Sequence, residues 1–413
     1  MTVPCRLLLA SSQFGSKFTT ASAESKLANL ERIIQNELIE FIRLEQTDMH
    51  GISRSKTILS KYLRDRAYKG QYMPPMLSID VASNDVEGAG FLEEMSYGDF
   101  LNFPDLSTFC VLPWAESTAQ ILVEPFHQNN KPVSAHPRWL AKRQLQNLED
   151  MGLALLSCFE HEFFITNKDC TPIETSTSTR STIRNNQFPK LFHQIFRQIP
   201  GDMYSFESEG GPGQFEISCK PAWGLGGADE AFAFRTAIKE IAQQQGHVIT
   251  FMTKPFPDAC GSSAHYNYSI WDMDRKRNVF SDHNGAYSLS KMGQHWLAGN
   301  LKHSQAISCL LAPTINCWKI LSQRAYIPYN ISWGIDNRNT LIRVKNSGND
   351  KTYYENRMVC SSANPYLCLA ATIASGIDGV RRELELPDEI KDEAFKLGPD
   401  VCPPLPRSLH ESS

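Results

Sequence analysis

The sequence predicts an α+β protein in two parts, on two observations. Over about the first 125 residues, short strand-like runs separated by turn residues dominate. From His136 onward, helices with apolar residues at 3.6-residue spacing alternate with strand-like runs, the pattern of a large domain carrying an antiparallel sheet. At 413 residues the chain is long enough for two or three domains' worth of core.

Residues 1–28 are rich in Ser and Thr and are expected as a flexible leader. Residues 29–43 place Leu30, Ile33, Ile34 and Leu38 at helical spacing, followed by a strand at Ile39–Leu44. Asp48-Met49-His50-Gly51 supplies turn chemistry, so Ser53–Ile58 is expected to return as the second arm of a hairpin. Strand-like runs follow at Thr108–Leu112 and Ala119–Val123. Pro137 suits the first position of a helix carrying Leu140, Leu145, Leu148 and Met151, and Gly152 stops it. A further helix is expected at Glu230–Gln245, with strands at Leu155–Ile165, Gly213–Cys219, Ala264–Ile270 and Thr340–Val344. The end, from Pro403 to Ser413, is expected as an unstructured tail.

Composition removes several function classes. Lys and Arg number 41 against 45 Asp and Glu, a net charge of −4, which argues against a nucleic-acid binder because neutralising phosphates needs a basic excess. The apolar run Leu7–Ala10 is too short for a signal-peptide core, and no segment approaches about 18 apolar residues, so neither secretion nor a membrane span is expected. The 11 cysteines are odd in number, scattered, and never spaced C-x-x-C, which disfavours a zinc site and a disulfide framework and suits a reducing, cytoplasmic setting.

Four segments carry chemistry. In Cys158–Phe163 a strand puts Glu160 and Glu162 on one face and Phe159, His161 and Phe163 on the other; two such carboxylates about 7 Å apart can each address a divalent cation. In Glu207–Ile217 glycines and proline bend the chain, so that Glu209 before the turn and Glu216 after it converge. In Gly261–Tyr268, His265 shares a face with Asn267, adding an imidazole to an oxygen-rich set suited to Mg²⁺ or Mn²⁺. In Trp333–Arg338, with Arg343 and Glu355-Asn356-Arg357, three arginines interleave with a glutamate, and guanidinium groups bind phosphate and carboxylate bidentately. Taken singly, each has a plain alternative: a solvated acidic stripe, a glycine turn, a core histidine, a surface ion pair.

Together, F-E-H-E-F, E-G-G-P-G-Q-F-E-I, G-S-S-A-H, W-G-I-D-N-R and Ala363-Asn364-Pro365-Tyr366-Leu367 stand in one order across residues 35–385, and there the sequence resembles the glutamine synthetase family. The stretch Phe41–Ile58 looks closest to its lengsin branch. The resemblance implies an N-terminal β-grasp domain (29–128), a catalytic α+β domain with a curved antiparallel sheet (129–398) and a tail (399–413) that lacks the family's last helices. It implies six-membered homo-oligomeric rings, stacked as a dodecamer, with the active site between neighbouring subunits. It also implies ATP and two divalent cations, with phosphorylation of the glutamate γ-carboxylate and attack by ammonia. Glu162, Glu209 and Glu216 match the ligands of one metal; Glu160, His265 and Glu355 match those of the other. Arg338 and Arg343 match phosphate-contacting arginines. Arg357 matches a substrate-carboxylate arginine beside Gly261, and Asn267 with Arg343 lies on the nucleotide side.

Departures from the family pattern are as specific. In the flap, Asn316–Pro328, the glutamate-holding arginine is replaced by Ile320 and the proton-accepting glutamate by Tyr326, which is no anionic base near pH 7. Asn267 replaces a histidine, Tyr353 an ATP-side arginine and Cys260 an asparagine. Met73–Ser78 lacks the aspartate that binds ammonia. The expectation is a cytoplasmic, lengsin-like protein that keeps its metal and nucleotide site but has impaired glutamate and ammonia sites, non-catalytic or weakly active, in a structural or chaperone-like role with intermediate-filament proteins as partners. The alternative is a γ-glutamyl ligase using ammonia or an amine.

Overall fold

A computed structural model describes residues 20–86, 98–174, 180–199, 201–322, 327–346 and 351–412. The first hairpin follows from its turn. The Asp48 carboxylate accepts from the backbone N–H groups of His50 and Ile52, both at 2.9 Å, which closes β1 (Phe41–Thr47) onto β2 (Ser53–Leu59). β3 (Gln71–Met73), β4 (Phe100–Pro104), β5 (Cys110–Val111) and β6 (Thr118–Phe126) complete a six-stranded sheet in the order β2-β1-β6-β4-β3, with β5 on β6. Helix α1 (Thr20–Asn36) lays Leu27 and Leu30 on Ile42, Leu44, Ile121 and Val123 of this sheet; α2 (Leu63–Lys69) follows β2.

Two expectations change here. The first helix lies at Thr20–Asn36 rather than 29–43, so residues 20–28 of the expected leader are helical, and Leu27 is buried. Leu38 ends the helix in the left-handed region (φ 53°) with its side chain exposed instead of extending the apolar stripe. Residues 1–19 lie outside the described residues.

Glu45 on β1 is buried, and the Ser53 hydroxyl donates to it at 2.9 Å. Burial, opposed by Ser53 and Arg43, pushes its carboxyl up to about 6. A folded value above the unfolded one means stability is lost as pH rises through about 4.5 to 6, by about 2 kcal/mol in full. Glu45→Gln should therefore stabilise the protein by up to about 2 kcal/mol at pH 7.5 and by almost nothing at pH 4. Urea unfolding at the two pH values checks this; an equal effect at both refutes it.

The second part begins at α3 (Pro137–Glu149), proline-initiated, and continues into the 14-residue strand β7 (Leu153–Thr166). β7 is the hub of a nine-stranded sheet that also contains β8 (Met203–Ser208), β9 (Gln214–Cys219), β10 (Ala222–Trp223), β11 (Val248–Thr250), β12 (Tyr266–Asp272), β13 (Trp333–Ile335), β14 (Ile342–Lys345) and β15 (Tyr353–Asn356). Its main order is β13-β14-β15-β12-β7-β9-β8, antiparallel except for β13 with β14. Helices α4 (Pro189–Gln198), α5 (Gly226–Gln244), α6 (Lys291–Leu311) and α7 (Pro365–Arg381) supply the apolar partners; Trp296, Phe232, Leu369 and Ile373 pack with Tyr266, Tyr268 and Tyr354 in one core. The end of the chain is not an unstructured tail. Cys402 and Leu405 are buried, Leu405 N–H donates to the Tyr329 carbonyl at 2.9 Å, and Leu409–Ser412 forms a helical turn. Apolar residues between the prolines give the segment a core face, which proline content alone conceals. Among the described residues no helix is long and apolar enough to cross a membrane.

Candidate active site

Strand β7 sets the site by its register. On one side Glu162 stands opposite Glu216 of β9; on the other, the N–H groups of Glu160 and Glu162 donate to the carbonyls of His265 and Ser263 at 3.0 and 3.2 Å. The two-residue period then puts Glu160 and Glu162 on one face beside His265, while Phe159, His161 and Phe163 enter the core. His161 stacks on Phe234 at 4.6 Å, and burial followed by the nearby Arg235 lowers it to about 3, so it is a neutral core residue. Farther along, Asn267 of β12 pairs with Glu355 of β15, which in turn faces Arg343 of β14.

The turn before β9 is held by Gln214 through both its side chain and its backbone. Gly211 N–H donates to Gln214 Oε1 at 2.7 Å and Glu209 N–H to the Gln214 carbonyl at 2.8 Å. Gly213 adopts φ 69°, and a Cβ there would lie 2.3 Å from the Ile165 carbonyl oxygen, so only glycine fits. Gln214 Nε2 ties the turn to the next loop through the Gly261 carbonyl at 2.9 Å and Ser262 Oγ at 3.1 Å.

Five carboxylates and one imidazole result. His265 Nδ1 lies 3.0 Å from Glu160 and 3.5 Å from Glu355. Glu160, Glu216 and His265 each offer an atom within 4.8 Å of the others. Glu162 accepts from Ser263 N–H at 3.0 Å, and Asn267 Nδ2 donates to Glu160 at 3.1 Å. Burial, then Glu216 and Glu209, push the Glu162 carboxyl well up; burial, then Glu160, Glu209 and Glu207, push Glu216 up to about 8. At Glu355 burial is outweighed by His265, Arg357 and Arg343, which hold it below its ordinary value. Glu216 thus crowds both the Glu160–His265 and the Glu162–Glu209 groups. A mostly oxygen donor set whose carboxylates repel one another fits hard divalent cations.

The arginines divide. Arg343 donates to Glu355 at 3.0 Å and to Asp336, and Arg357 donates to Glu355 and, at 3.1 Å, to the Arg338 carbonyl. Arg343 and Arg357 are buried, whereas the Arg338 side chain is exposed. Tyr353 sits on the same side, raised to about 12 by burial and by Glu160 and Glu355. Ile320 lies against Gly261, where a Cβ would come within 2.5 Å of it, and shares a cavity with Trp318, Ser263, Arg357 and Met358. Tyr326 lies outside the described residues. Sequence reasoning missed Arg180, which holds Glu209 at 2.7 Å and Glu207 at 3.3 Å; it stands in a Ser/Thr-rich run with no periodicity to announce it.

The catalytic domain of glutamine synthetase, as a family model, matches residues 134–413. Lengsin from Homo sapiens is 34% identical over 396 residues, 93% of this chain and 77% of that protein. Glutamate–isopropylamine ligase from a Pseudomonas species is 31% identical over 407 residues, 94% of this chain and 88% of that one. Among solved structures, a GmaS/ADP complex superposes with a TM-score of 0.82 at 25% identity, covering 93% of this chain and 88% of the other. Register, turn and matched residues agree on one lineage, and the chain belongs to the glutamine synthetase family.

Proposed function

We propose that this is a lengsin-like member that binds ATP with two divalent cations, Mg²⁺ or Mn²⁺, and does not make glutamine. Its role is then non-catalytic, as a cytoplasmic homo-oligomeric assembly (hexameric rings, paired as a dodecamer) serving cytoskeletal partners such as intermediate-filament proteins. The division into a β-grasp part (29–128), a catalytic part (129–398) and a tail belongs to the same proposal. When bound, the cations supply charge neutralisation for a phosphoryl group. Glu162, Glu209 and Glu216 hold one and Glu160, His265 and Glu355 the other, with Arg338, Arg343 and Asn267 toward the nucleotide and Arg357 with Gly261 toward a substrate carboxylate.

The observation that carries the reading is Ile320 packed on Gly261. A branched alkyl group there donates no hydrogen bond to a substrate carboxylate, so Arg357 is left to hold it unaided by residue 320. The same wall supports a second reading, a γ-glutamyl–amine ligase. Trp318, Ile320, Ile327 and Met358 line an apolar cavity beside Arg357 that suits an alkyl amine better than ammonium, and one relative is named for isopropylamine.

Phosphate release from ATP, with Mg²⁺ or Mn²⁺ and glutamate, across ammonia and a panel of alkyl amines, separates the readings. The expected result is no release above background in protein that binds ATP in equilibrium dialysis. Turnover with an amine replaces the first reading by the second, and turnover with ammonia replaces it by a glutamate–ammonia ligase. Ile320→Arg with Tyr326→Glu should raise glutamine formation where those two groups are what is missing.

A further inference from the structure

Behind Ile320 and Arg357 lies a pair of thiols that metal and nucleotide binding leaves unused. Cys317, in the short helix Ile315–Trp318, is almost fully buried, and Cys360 follows Arg357 by three residues. The two pack in one small cluster with Ala312 and Trp318 and line the same cavity. Three hydroxyls close around Cys317 Sγ: Thr314 Oγ1 at 3.1 Å, Ser362 Oγ at 3.2 Å and Thr253 Oγ1 at 3.5 Å. Thr253 donates to this sulfur, and the Thr314 and Ser362 hydroxyls are within reach to donate as well, so the cage can stabilise a sulfur anion without a cation.

We propose that Cys317 and Cys360 form a peroxide-oxidised thiol pair, with Cys317 the attacking thiolate and Cys360 the resolving thiol. The neighbouring Cys360 thiol and the hydroxyls of Ser362, Thr314 and Thr253 outweigh burial and draw the Cys317 thiol down to about 5, while the adjacent Cys317 and burial push Cys360 well up. The Cys317 thiolate attacks one oxygen of hydrogen peroxide; an S–O bond forms, the O–O bond breaks, and the departing hydroxide takes a proton to become water. Cys360, losing its proton, then attacks the Cys317 sulfenic sulfur; the S–S bond forms and the second oxygen leaves as water. Two thiols are oxidised by two electrons and one peroxide is reduced to two waters.

A disulfide there would tie the helical turn that carries Ile320 to the segment that carries Arg357. Segment 253–263 lies behind both: Asn316 brackets Lys254 with two 2.9 Å hydrogen bonds, and Cys360 bridges Ser263, whose N–H holds Glu162. Oxidation therefore reports on the pocket wall directly.

The test is non-reducing peptide mapping after hydrogen peroxide treatment of the full chain. The expected product joins the Cys317 and Cys360 peptides with a loss of about 2 Da. Cys317→Ser, which keeps an acceptor for the hydroxyl cage, should abolish the cross-link, whereas Cys360→Ser should leave a Cys317 sulfenic acid that dimedone traps. Oxidation at Cys317 should change less than about twofold from pH 6.5 to 8.5, against about fiftyfold for a free peptide cysteine. A Cys317 that reacts no faster than the buried Cys368, whose rate climbs with pH like a free thiol, or that cross-links elsewhere overturns the proposal.

Discussion

Replacing Arg138 by methionine should destabilise the protein by about 3–5 kcal/mol, a large share of the stability of a typical domain. Arg138 on α3 is buried and satisfies three carboxylates from three elements. It donates to Asp229 of α5 at 2.9 and 3.0 Å, to Glu124 of β6 at 2.5 Å and to Asp105 after β4 at 2.9 Å. Lys142 adds a second cation, bonded to Glu124 and 3.6 Å from Asp105, and the Tyr366 hydroxyl donates to Asp229 at 2.7 Å. Burial opposes the charge on Asp105, yet Arg138 and Lys142 hold its carboxyl well below the usual range. Methionine fills the aliphatic volume but leaves three buried carboxylates facing one ammonium, and the uncompensated charge is what costs. The network joins the first sheet to three helices of the second part, so loss should appear in one cooperative transition. Urea unfolding of wild type and Arg138→Met measures it; a change under about 1 kcal/mol would mean water replaces the guanidinium.

How far the sequence reached can be judged from particular residues. Strand faces were legible because the two-residue period is local: Glu160 and Glu162 share a face opposite Phe159 and Phe163 as the alternation requires. The hairpin at Asp48–Gly51 was legible for the same reason, since an Asx turn needs only its own side chain. What was not legible depended on distant partners. Leu38 fits the helical stripe of α1 but has nothing to pack on, and the chain leaves the helix there. Leu405 sits among prolines yet finds the large core of the second part. Arg180 reaches Glu209 only because the turn before β9 folds back toward it. The crowding of Glu216 against both carboxylate groups is likewise a product of sheet register, which no single motif contains.

That crowding yields the largest expected effect on ligand binding. Glu216→Gln should abolish most of the stabilisation that Mn²⁺ or Mg²⁺ confers, and should make the cation-free protein more stable near pH 8. Burial, Glu160, Glu209 and Glu207 raise the folded value of Glu216 to about 8. A carboxyl raised on folding gives stability that is complete at low pH and lost as pH climbs through the folded value, so the cation-free protein weakens from about pH 5 to 8 by a few kcal/mol. A divalent cation reverses the sign of the local field, drives off the proton, and so binds more tightly as pH rises over the same window. At a concentration of one hundred times Kd it adds about 2.7 kcal/mol. Glutamine removes the repulsion and the charge together while keeping one oxygen donor. Thermal melts at pH 6 and pH 8, with and without Mn²⁺, read both effects. Wild type should show a larger Mn²⁺ shift at pH 8 than at pH 6, and Glu216→Gln a small shift at either pH. An undiminished shift in the variant would place the cation away from Glu216 and overturn the proposed two-cation arrangement.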